Sequence, residues 1–227
     1  PQEELHTEGP FGDHTGYYSL EGEYPVFHVQ CITRKKKPVY PATVVGKPPM
    51  EDCYMAKATE RLFLPLLQLI IPEIIDMELP LSGVFHNCVI VSIKKRFPAQ
   101  VKKVMYALWG LGQMMYTKMI IVVDESVDVH DLSTVMWKVF NNIDGKRDIV
   151  FSDGPLDALD HASPLPLQGT RLGIDATKKT ALDGHTRPWP DDIVMDSDVI
   201  RHIDEIWNEG QQRRLRLGLL GTNASFA

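Results

Sequence analysis

Helical and strand-like segments alternate after residue 50, and this alternation constrains the fold more than any other feature of the sequence. Helices are predicted where apolar residues recur every three or four positions, at 51–71, 101–115 and 131–140. Strands are predicted at the short apolar segments 74–79, 84–93, 119–123 and 149–151. The resulting order β-β-α-β-α-β indicates an α/β layer structure with at least some parallel strand pairing.

Prolines and a cap mark the predicted helices. Pro65 should bend or split the first helix. Pro98 suits the first turn of the second helix, whose apolar stripe runs from Val101 to Met115. Asp131 is placed to cap the third helix. The apolar stripe of the first helix is formed by Met55, Ala58, Leu62, Leu66 and Leu69.

The segments on either side of this region have a different character. Residues 24–33 are rich in β-branched and aromatic residues with apolar positions on both faces, which predicts a strand inside a barrel or a covered sheet. At the other end, an irregular proline-containing linker precedes an amphipathic helix that Asp196 would cap and Gly210 would stop. That helix suits either packing on its own domain or crossing to another subunit.

Composition excludes several classes of function. The 24 Lys and Arg against 30 Asp and Glu give a net charge of −6, which disfavours nucleic-acid binding because a phosphate backbone demands a concentrated basic face. Cys31, Cys53 and Cys88 fit reduced thiols in a cytoplasmic protein rather than a disulfide framework or a zinc site.

The chain begins at Pro1 and carries its most unusual segment, which is rich in glycine and acidic residues, near that end. We therefore expect a carboxyl-terminal piece of a longer enzyme.

Two acids stand close together on a glycine-rich loop. Glu8 and Asp13 are separated by a segment in which Gly9 and Gly12 permit close backbone approach and Pro10 stiffens the turn. Such a loop can present both acids to one cavity, where mutual repulsion favours one of them as a general acid. The alternative is a polar turn with solvated acids, because Gly and Asp are common in turns.

Lys118 immediately precedes the apolar strand at 119–123. An ammonium at a strand end can bind a phosphate or a carboxylate. Ligands of parallel sheets normally bind beyond the carboxyl ends of the strands, however, so a solvated lysine is the alternative.

The eight histidines show no metal-binding spacing.

Residues 8–18, Glu-Gly-Pro-Phe-Gly-Asp-His-Thr-Gly-Tyr-Tyr, resemble the active-site segment of the UbiD family of reversible decarboxylases, the 3-polyprenyl-4-hydroxybenzoate decarboxylase-like enzymes. The resemblance covers roughly residues 4 to 190, in the order expected for the C-terminal half of the family. The further motifs similar to family landmarks lie at 46–51, 115–124, 162–164 and 173–177.

The resemblance implies a chemistry and a role for each candidate residue. In the family, prenylated FMN accepts the electrons left by departing CO2, and a carboxylic acid of the protein returns a proton to the carbon. Asp13 matches the proton donor, Glu8 matches the acid paired with an active-site arginine, and Lys118 resembles a lysine that reaches the flavin phosphate. Many members have Glu where this chain has Asp13, and the shorter side chain points to acids of the hydroxybenzoate type.

The resemblance also implies an architecture. Residues 1–46 would form the last strands of a split β-barrel flavin-binding domain, 47–190 a C-terminal α/β domain, and 191–227 a helical arm. The family's arginine, and the Asn, His and Glu that hold the flavin phosphate through a divalent metal (usually Mn2+), belong to chain that precedes this segment. We therefore expect the isolated chain to be inactive.

The expected function is decarboxylation of an aromatic acid in ubiquinone or menaquinone synthesis. The implied partners are a flavin prenyltransferase that supplies the cofactor, further copies in a dimer or hexamer, and a membrane surface reached through a prenylated substrate. A (de)carboxylase of another aromatic or α,β-unsaturated acid is one alternative. A non-catalytic oligomerisation module is another, although it would not need two acids on a glycine-rich loop.

Overall fold

The structure is a computed structural model that describes residues 3–216, with side chains up to residue 210. The chain divides into two units, one ending at Thr186 and one beginning at Arg187, and each is described by itself. The helices and strands are β1 (Leu5–Glu8), β2 (Gly22–Pro25), α1 (Asp52–Ile70), β3 (Ile74–Glu78), β4 (Cys88–Ile93), α2 (Gln100–Trp109), β5 (Met119–Asp124), α3 (Leu132–Asn142), β6 (Ile149–Pro155), β7 (Gln168–Asp175) and α4 (Ser197–Arg216).

The first unit contains two sheets. Strands β1 and β2 pair antiparallel as a two-stranded sheet, and the other five follow the order β3-β4-β5-β7-β6. The three central strands β4, β5 and β7 run parallel, and β3 and β6 join the edges antiparallel. Helix α2 connects β4 to β5, which is the crossover that parallel neighbours require. The predicted α/β layer structure with parallel pairing is therefore confirmed.

The large sheet buries apolar side chains on both of its faces. Because neighbouring residues of a strand point to opposite faces, Val89 and Val91 pack on one side with α1 and α2, whereas Ile90 packs on the other side with α3. Residues of β5 divide in the same way, with Val122 on the first side and Val123 on the second. This two-sided burial explains why the central strands are continuous apolar runs.

The elements with the strongest sequence signals form as predicted. Strands β3 and β5 cover the segments at 74–79 and 119–123 to within a residue or two. Helix α3 begins after Asp131, whose carboxylate accepts a hydrogen bond from the backbone N–H of Thr134 at 3.1 Å. That bond satisfies one of the free amides of the first turn.

Helix α1 is not split at Pro65, and its apolar stripe is exposed. The helix runs unbroken through Pro65. Proline has no N–H to donate to the carbonyl of the preceding turn, but Pro65 is exposed, so that water can hydrogen-bond to this carbonyl instead. The predicted apolar stripe does not face the sheet: Leu62 and Leu69 are exposed, and the helix buries Ala56 and Leu67 instead. Helical periodicity identifies an apolar face, but it does not say which surface that face meets.

The predicted strand at 24–33 is wrong in this structure. Only Tyr24 and Pro25 belong to β2, and no strand lies between residues 26 and 51 of the described chain. Phe27 and Ile32 are 88% and 79% exposed, without a covering layer. A strand needs a neighbouring strand to satisfy its backbone, and the described residues supply none for this segment.

Two further predictions are corrected, and one strand was not predicted. The second helix ends at Trp109, and Met115 lies in a separate 3-10 turn over Gly112–Tyr116. The strand predicted from residue 84 begins only at Cys88. Strand β7, which lies between β5 and β6 in the sheet, was not predicted.

The second unit contains α4. The helix begins at Ser197, where the Asp196 carboxylate accepts a hydrogen bond from the N–H of Asp198 at 2.8 Å. The predicted stop at Gly210 is wrong, because α4 continues to Arg216. Ile203 and Trp207 on its apolar face are exposed. No helix in residues 3–216 has both the length and the apolar character of a membrane span.

Candidate functional site

The acid loop is a tight turn that follows β1. It opens with a cis peptide between Gly9 and Pro10 and is closed by hydrogen bonds from the N–H of Ser19 to Phe11 O at 2.9 Å and from the N–H of Asp13 to Tyr17 O at 3.1 Å. Gly16 has a φ of 84°, and a β-carbon there would lie 2.9 Å from the Cα of Lys47. Glycine is therefore required where the loop contacts the segment that precedes α1.

Asp13 is held by the residue that follows it. Its Oδ1 accepts hydrogen bonds from the backbone N–H of His14 at 2.6 Å and meets the Nδ1 of the same ring at 2.7 Å. Both side chains are largely buried, with 15% of Asp13 and 21% of His14 exposed. Within the described residues, no hydrogen bond ends on Oδ2 of Asp13, so this oxygen is available to a ligand.

The α/β region contributes a second histidine to this loop. The Nε2 of His14 lies 2.9 Å from the Nε2 of His86, a residue on the segment that leads into β4. The ring of Phe85 stacks on His14 with the centroids 5.2 Å apart. Sequence reasoning missed His86, because a lone histidine before an apolar strand carries no local signal.

Lys118 makes an ion pair rather than pointing freely into solvent. Its Nζ lies 2.7 Å from Oδ2 of Asp160, a carboxylate that is 4% exposed. The neighbouring residue His161 packs its ring against Tyr17 of the acid loop, with centroids 4.3 Å apart. The segment that carries Asp160 therefore contacts the same loop as Asp13.

The candidate site lies at the amino ends of the parallel strands. His86 precedes β4, and Lys118 precedes β5. Asp160 lies in the connection from β6 to β7. The start of β7 extends past the amino end of β5, so this connection lies at the same edge of the sheet. In the structure the acid loop contacts the amino ends of the parallel strands rather than their carboxyl ends. Lys118 lies at that same edge of the sheet.

Glu8 stands apart from this group in the structure. It ends β1 opposite Gly22 and is exposed. No side-chain contact among residues 3–210 joins Glu8, Asp13 and Lys118 directly. The structure thus brings the segments of Asp13 and Lys118 together through His86, Tyr17 and His161, and it leaves Glu8 at the open side of the loop.

A second cluster of acids has the composition of a metal site, but it is already compensated by cations. Glu60, Glu78 and His130 place their ligand atoms within 4.8 Å of one another. Lys57 contacts both glutamates, and Arg61 lies 2.7 Å from Glu60. The two cations neutralise the two buried carboxylates, so we interpret this cluster as an ion-pair network between α1 and β3.

Comparison with known families gives two matches along the chain. Residues 53–176 match the 3-octaprenyl-4-hydroxybenzoate carboxy-lyase C-terminal domain, and residues 1–48 match the Rift-related domain of the same enzymes. The chain belongs to the UbiD family. The boundary between the two matches falls just before α1, and the acid loop lies on the Rift-related side of it.

Two similar proteins show how much of a relative this chain represents. A protein of Archaeoglobus fulgidus is 54% identical over 91% of the chain, and one of Aquifex aeolicus is 49% identical over 92%. The chain spans 43% of the length of each relative. The chain therefore represents less than half of such a protein.

Solved structures of the UbiD class have the same fold. The closed form of vanillic acid decarboxylase from Sedimentibacter hydroxybenzoicus matches with a TM-score of 0.79 and 26% identity, over 94% of this chain and 44% of that one. The UbiD-class enzyme HmfF from Pelotomaculum thermopropionicum, solved with FMN, matches with a TM-score of 0.68 and 25% identity, over 88% and 44%. An evolved dimeric form of HmfF with prenylated FMN has the same fold, with a TM-score of 0.62 and 22% identity over 84% and 39%.

Proposed function

We propose that this chain is the carboxyl-terminal part of a prenylated-FMN-dependent decarboxylase of aromatic acids, in which Asp13 is the proton donor. The observation that carries the proposal is that Asp13 lies in a loop resembling that of the UbiD family, largely buried and hydrogen-bonded to His14, at the same sheet edge as Lys118. A general acid needs such a fixed position next to the reacting carbon.

The residues present fit one contact to a flavin phosphate. Lys118 is about one-third exposed, so its ammonium can bind a phosphate oxygen while Asp160 holds it from behind. When bound, prenylated FMN supplies the electron sink that makes loss of CO2 possible. In the described residues, one cluster has metal-ligand geometry, Glu60, Glu78 and His130. Its two carboxylates already form ion pairs with Lys57 and Arg61, so the cluster does not fit Mn2+. We expect the Mn2+ ligands in chain that precedes residue 1.

The roles of the chain's own acids follow from their surroundings. Asp13 returns a proton to the carbon that CO2 leaves, and it regains a proton before the next turnover. In this proposal Glu8 pairs with the arginine expected upstream, which would keep it ionised, and the exposure of Glu8 leaves room for that partner. The domain boundaries expected above, at 46 and 190, remain part of this proposal.

The proposed substrates are hydroxybenzoate-type acids such as 3-polyprenyl-4-hydroxybenzoate in ubiquinone or menaquinone synthesis. The similarity to vanillic acid decarboxylase, an enzyme named for an aromatic acid, supports this class. Another aromatic or α,β-unsaturated acid is the second candidate. A prenylated substrate would bring the enzyme, otherwise placed in the cytoplasm, to the membrane surface.

We also propose that the whole protein is a homo-oligomer. The apolar side chains that α1 exposes, such as Leu62 and Leu69, and those of α4, such as Ile203 and Trp207, are consistent with burial against further chain or another copy. Deleting residues from Asp196 onward should lower the assembled mass in sedimentation velocity. An unchanged mass would remove α4 from the interface.

The decisive experiment uses the full-length protein produced together with a flavin prenyltransferase. We expect bound prenylated flavin in the absorbance spectrum and release of CO2 from hydroxybenzoates, and neither from the isolated 227-residue chain. If the full-length protein assembles normally but neither binds flavin nor releases CO2 from any aromatic or unsaturated acid, the enzyme proposal is wrong and the oligomerisation module is favoured.

A further inference from the structure

Three titratable side chains form a continuous row in the candidate site. Asp13 Oδ1 lies 2.7 Å from His14 Nδ1, and His14 Nε2 lies 2.9 Å from His86 Nε2. A hydrogen bond between two imidazole nitrogens requires one of them to donate and the other to accept. The row therefore has two interchangeable hydrogen-bond patterns, which differ by the position of one proton at each link.

The row joins two histidines that are 72 residues apart in the sequence, and aromatic contacts surround His14. The ring of His14 stacks on Phe85 and meets His86 edge-on, with those two centroids 5.1 Å apart. Val84 and Phe85 have φ values of 49° and 48°, in the left-handed region that non-glycine residues rarely adopt. Such strained backbone persists only where the surroundings impose it, and it is frequent at functional sites.

The surroundings of His86 favour its neutral form. Burial lowers the pKa of His86, the positive form of His14 lowers it further, and the carboxylates of Asp157 and Asp13 and the side chain of Asn87 oppose these effects. The net pKa lies below the ordinary value of 6.5. At neutral pH the ring is therefore uncharged and can accept a proton on one nitrogen while it donates from the other.

We propose that Asp13, His14 and His86 form a proton relay that reloads Asp13 after each turnover. This inference rests on the proposed function, because it assigns His14 and His86 to the proton supply of that reaction. His14 and His86 are positioning and relay residues that act through Asp13.

The transfer is balanced in protons. After Asp13 has given its proton to carbon, its carboxylate accepts from His14 Nδ1–H, and His14 Nε2 accepts from His86 Nε2–H. His86 Nδ1 is buried and has no hydrogen-bond partner among the described residues, so it can take a water molecule as the proton donor. A solvent proton delivered to His86 Nδ1 through that water releases the Nε2 proton of His86 to His14, and His14 releases its Nδ1 proton to Asp13. One proton enters at His86 and one arrives at Asp13, while both rings return to the neutral form.

The test separates relay from packing by substituting glutamine for histidine. In His86→Gln the side-chain amide can still hydrogen-bond to His14, but it cannot pass a proton along. In the flavin-loaded full-length enzyme we expect the first equivalent of CO2 to be released at the wild-type rate and the following turnovers to be slowed at least about tenfold, with partial rescue by added imidazole. His6→Gln, which removes an exposed histidine near the same loop, should leave both phases unchanged.

Wild-type-like rates in both phases for His86→Gln would overturn the relay. If that variant does not fold, the wild-type protein labelled with 15N-histidine provides a second test. We expect a through-hydrogen-bond coupling between the Nε2 signals of His14 and His86 and a change of both ring signals in Asp13→Asn, whereas no coupling and unchanged His86 signals would contradict the relay. The nuclear magnetic resonance measurement needs no turnover, so it also distinguishes failure of the relay from failure of the proposed decarboxylation.

Discussion

Lys118 and Asp160 form an ion pair between an accessible ammonium and a nearly buried carboxylate, with Nζ 2.7 Å from Oδ2. Asp160 also accepts a hydrogen bond from the backbone N–H of Ala162 at 2.9 Å, and it lies next to His161, which contacts the acid loop. The pair therefore links the amino end of β5 to the segment that contacts the acid loop. It fixes the ammonium at the edge of the sheet that this loop contacts.

Removing the cation of this pair should destabilise the fold. Lys118→Met leaves the Asp160 carboxylate buried without its partner, and we expect a loss of about 1–3 kcal/mol in the free energy of unfolding. The matched control is Lys94→Met, whose partner Glu125 is 48% exposed, and it should change the free energy by less than about 0.5 kcal/mol. Urea unfolding at pH 7 measures both changes. Equal effects would show that the buried pair contributes no more to the free energy of unfolding than an exposed pair.

Asp13 is the residue on which turnover should depend most. In the flavin-loaded full-length protein, Asp13→Asn keeps a similar size and can still contact His14, but it has no acid proton to give. We expect the bound-flavin spectrum to persist and CO2 release to fall by about 10²- to 10⁴-fold. Glu21→Gln removes an exposed acid from the same segment and should retain activity. Unchanged turnover in Asp13→Asn would remove this residue from the mechanism.

The parts of the fold that the sequence predicts are those with local causes. The Asp131 cap needs only a carboxylate in front of a helix, and β5 needs only an apolar run long enough for a buried strand. Strand β7 escaped prediction because it carries Arg171 and the glycines 169 and 173, which weaken any strand pattern. Its place in the sheet is set by neighbours on both sides, not by its own composition.

In the candidate site, too, only the residues that are neighbours in the sequence could be predicted. The adjacency of Asp13 and His14, and the glycines around them, are visible in the chain. The third member of the row, His86, joins them only because the sheet brings its segment back to the acid loop. The apolar face of α1 illustrates the same limit, since Leu62 and Leu69 carry a clear helical signal and yet no neighbour among the described residues buries them.

Gly173 should be intolerant of a single added methyl group. A β-carbon there would lie 2.6 Å from the sulfur of Met105 and 3.2 Å from the ring of Trp109, and both side chains are buried in the core. We expect Gly173→Ala to cost about 1–3 kcal/mol in the free energy of unfolding, although alanine is usually preferred to glycine inside a strand. Gly145→Ala meets nothing within 4 Å and should be nearly neutral. A Gly173 variant as stable as wild type in thermal unfolding would show that α2 can move away from β7.

Asp148 should make stability depend on pH in the acid range. Its carboxylate is 2% exposed and accepts two hydrogen bonds from Arg147 at 2.8 Å each. Burial acts to raise the pKa of Asp148, but the bonds from Arg147 and from the backbone of Asp144, with the charge of Lys179, outweigh it, so the pKa lies below 3.8.

A folded-state pKa below the unfolded one means that the unfolded chain takes up the proton first as the pH falls. The stability that the ionised group supplies is complete above about pH 5 and is lost as the pH falls through the unfolded value towards the folded one. We expect Asp148→Asn to be less stable than wild type at pH 7 by about 1–3 kcal/mol, and the difference in urea midpoint to shrink by pH 3. Asp198→Asn, which alters a pair whose carboxylate is 76% exposed, should track wild type at every pH. A difference between Asp148→Asn and wild type that stayed constant from pH 7 to pH 3 would mean that the ionised form is not what stabilises the fold.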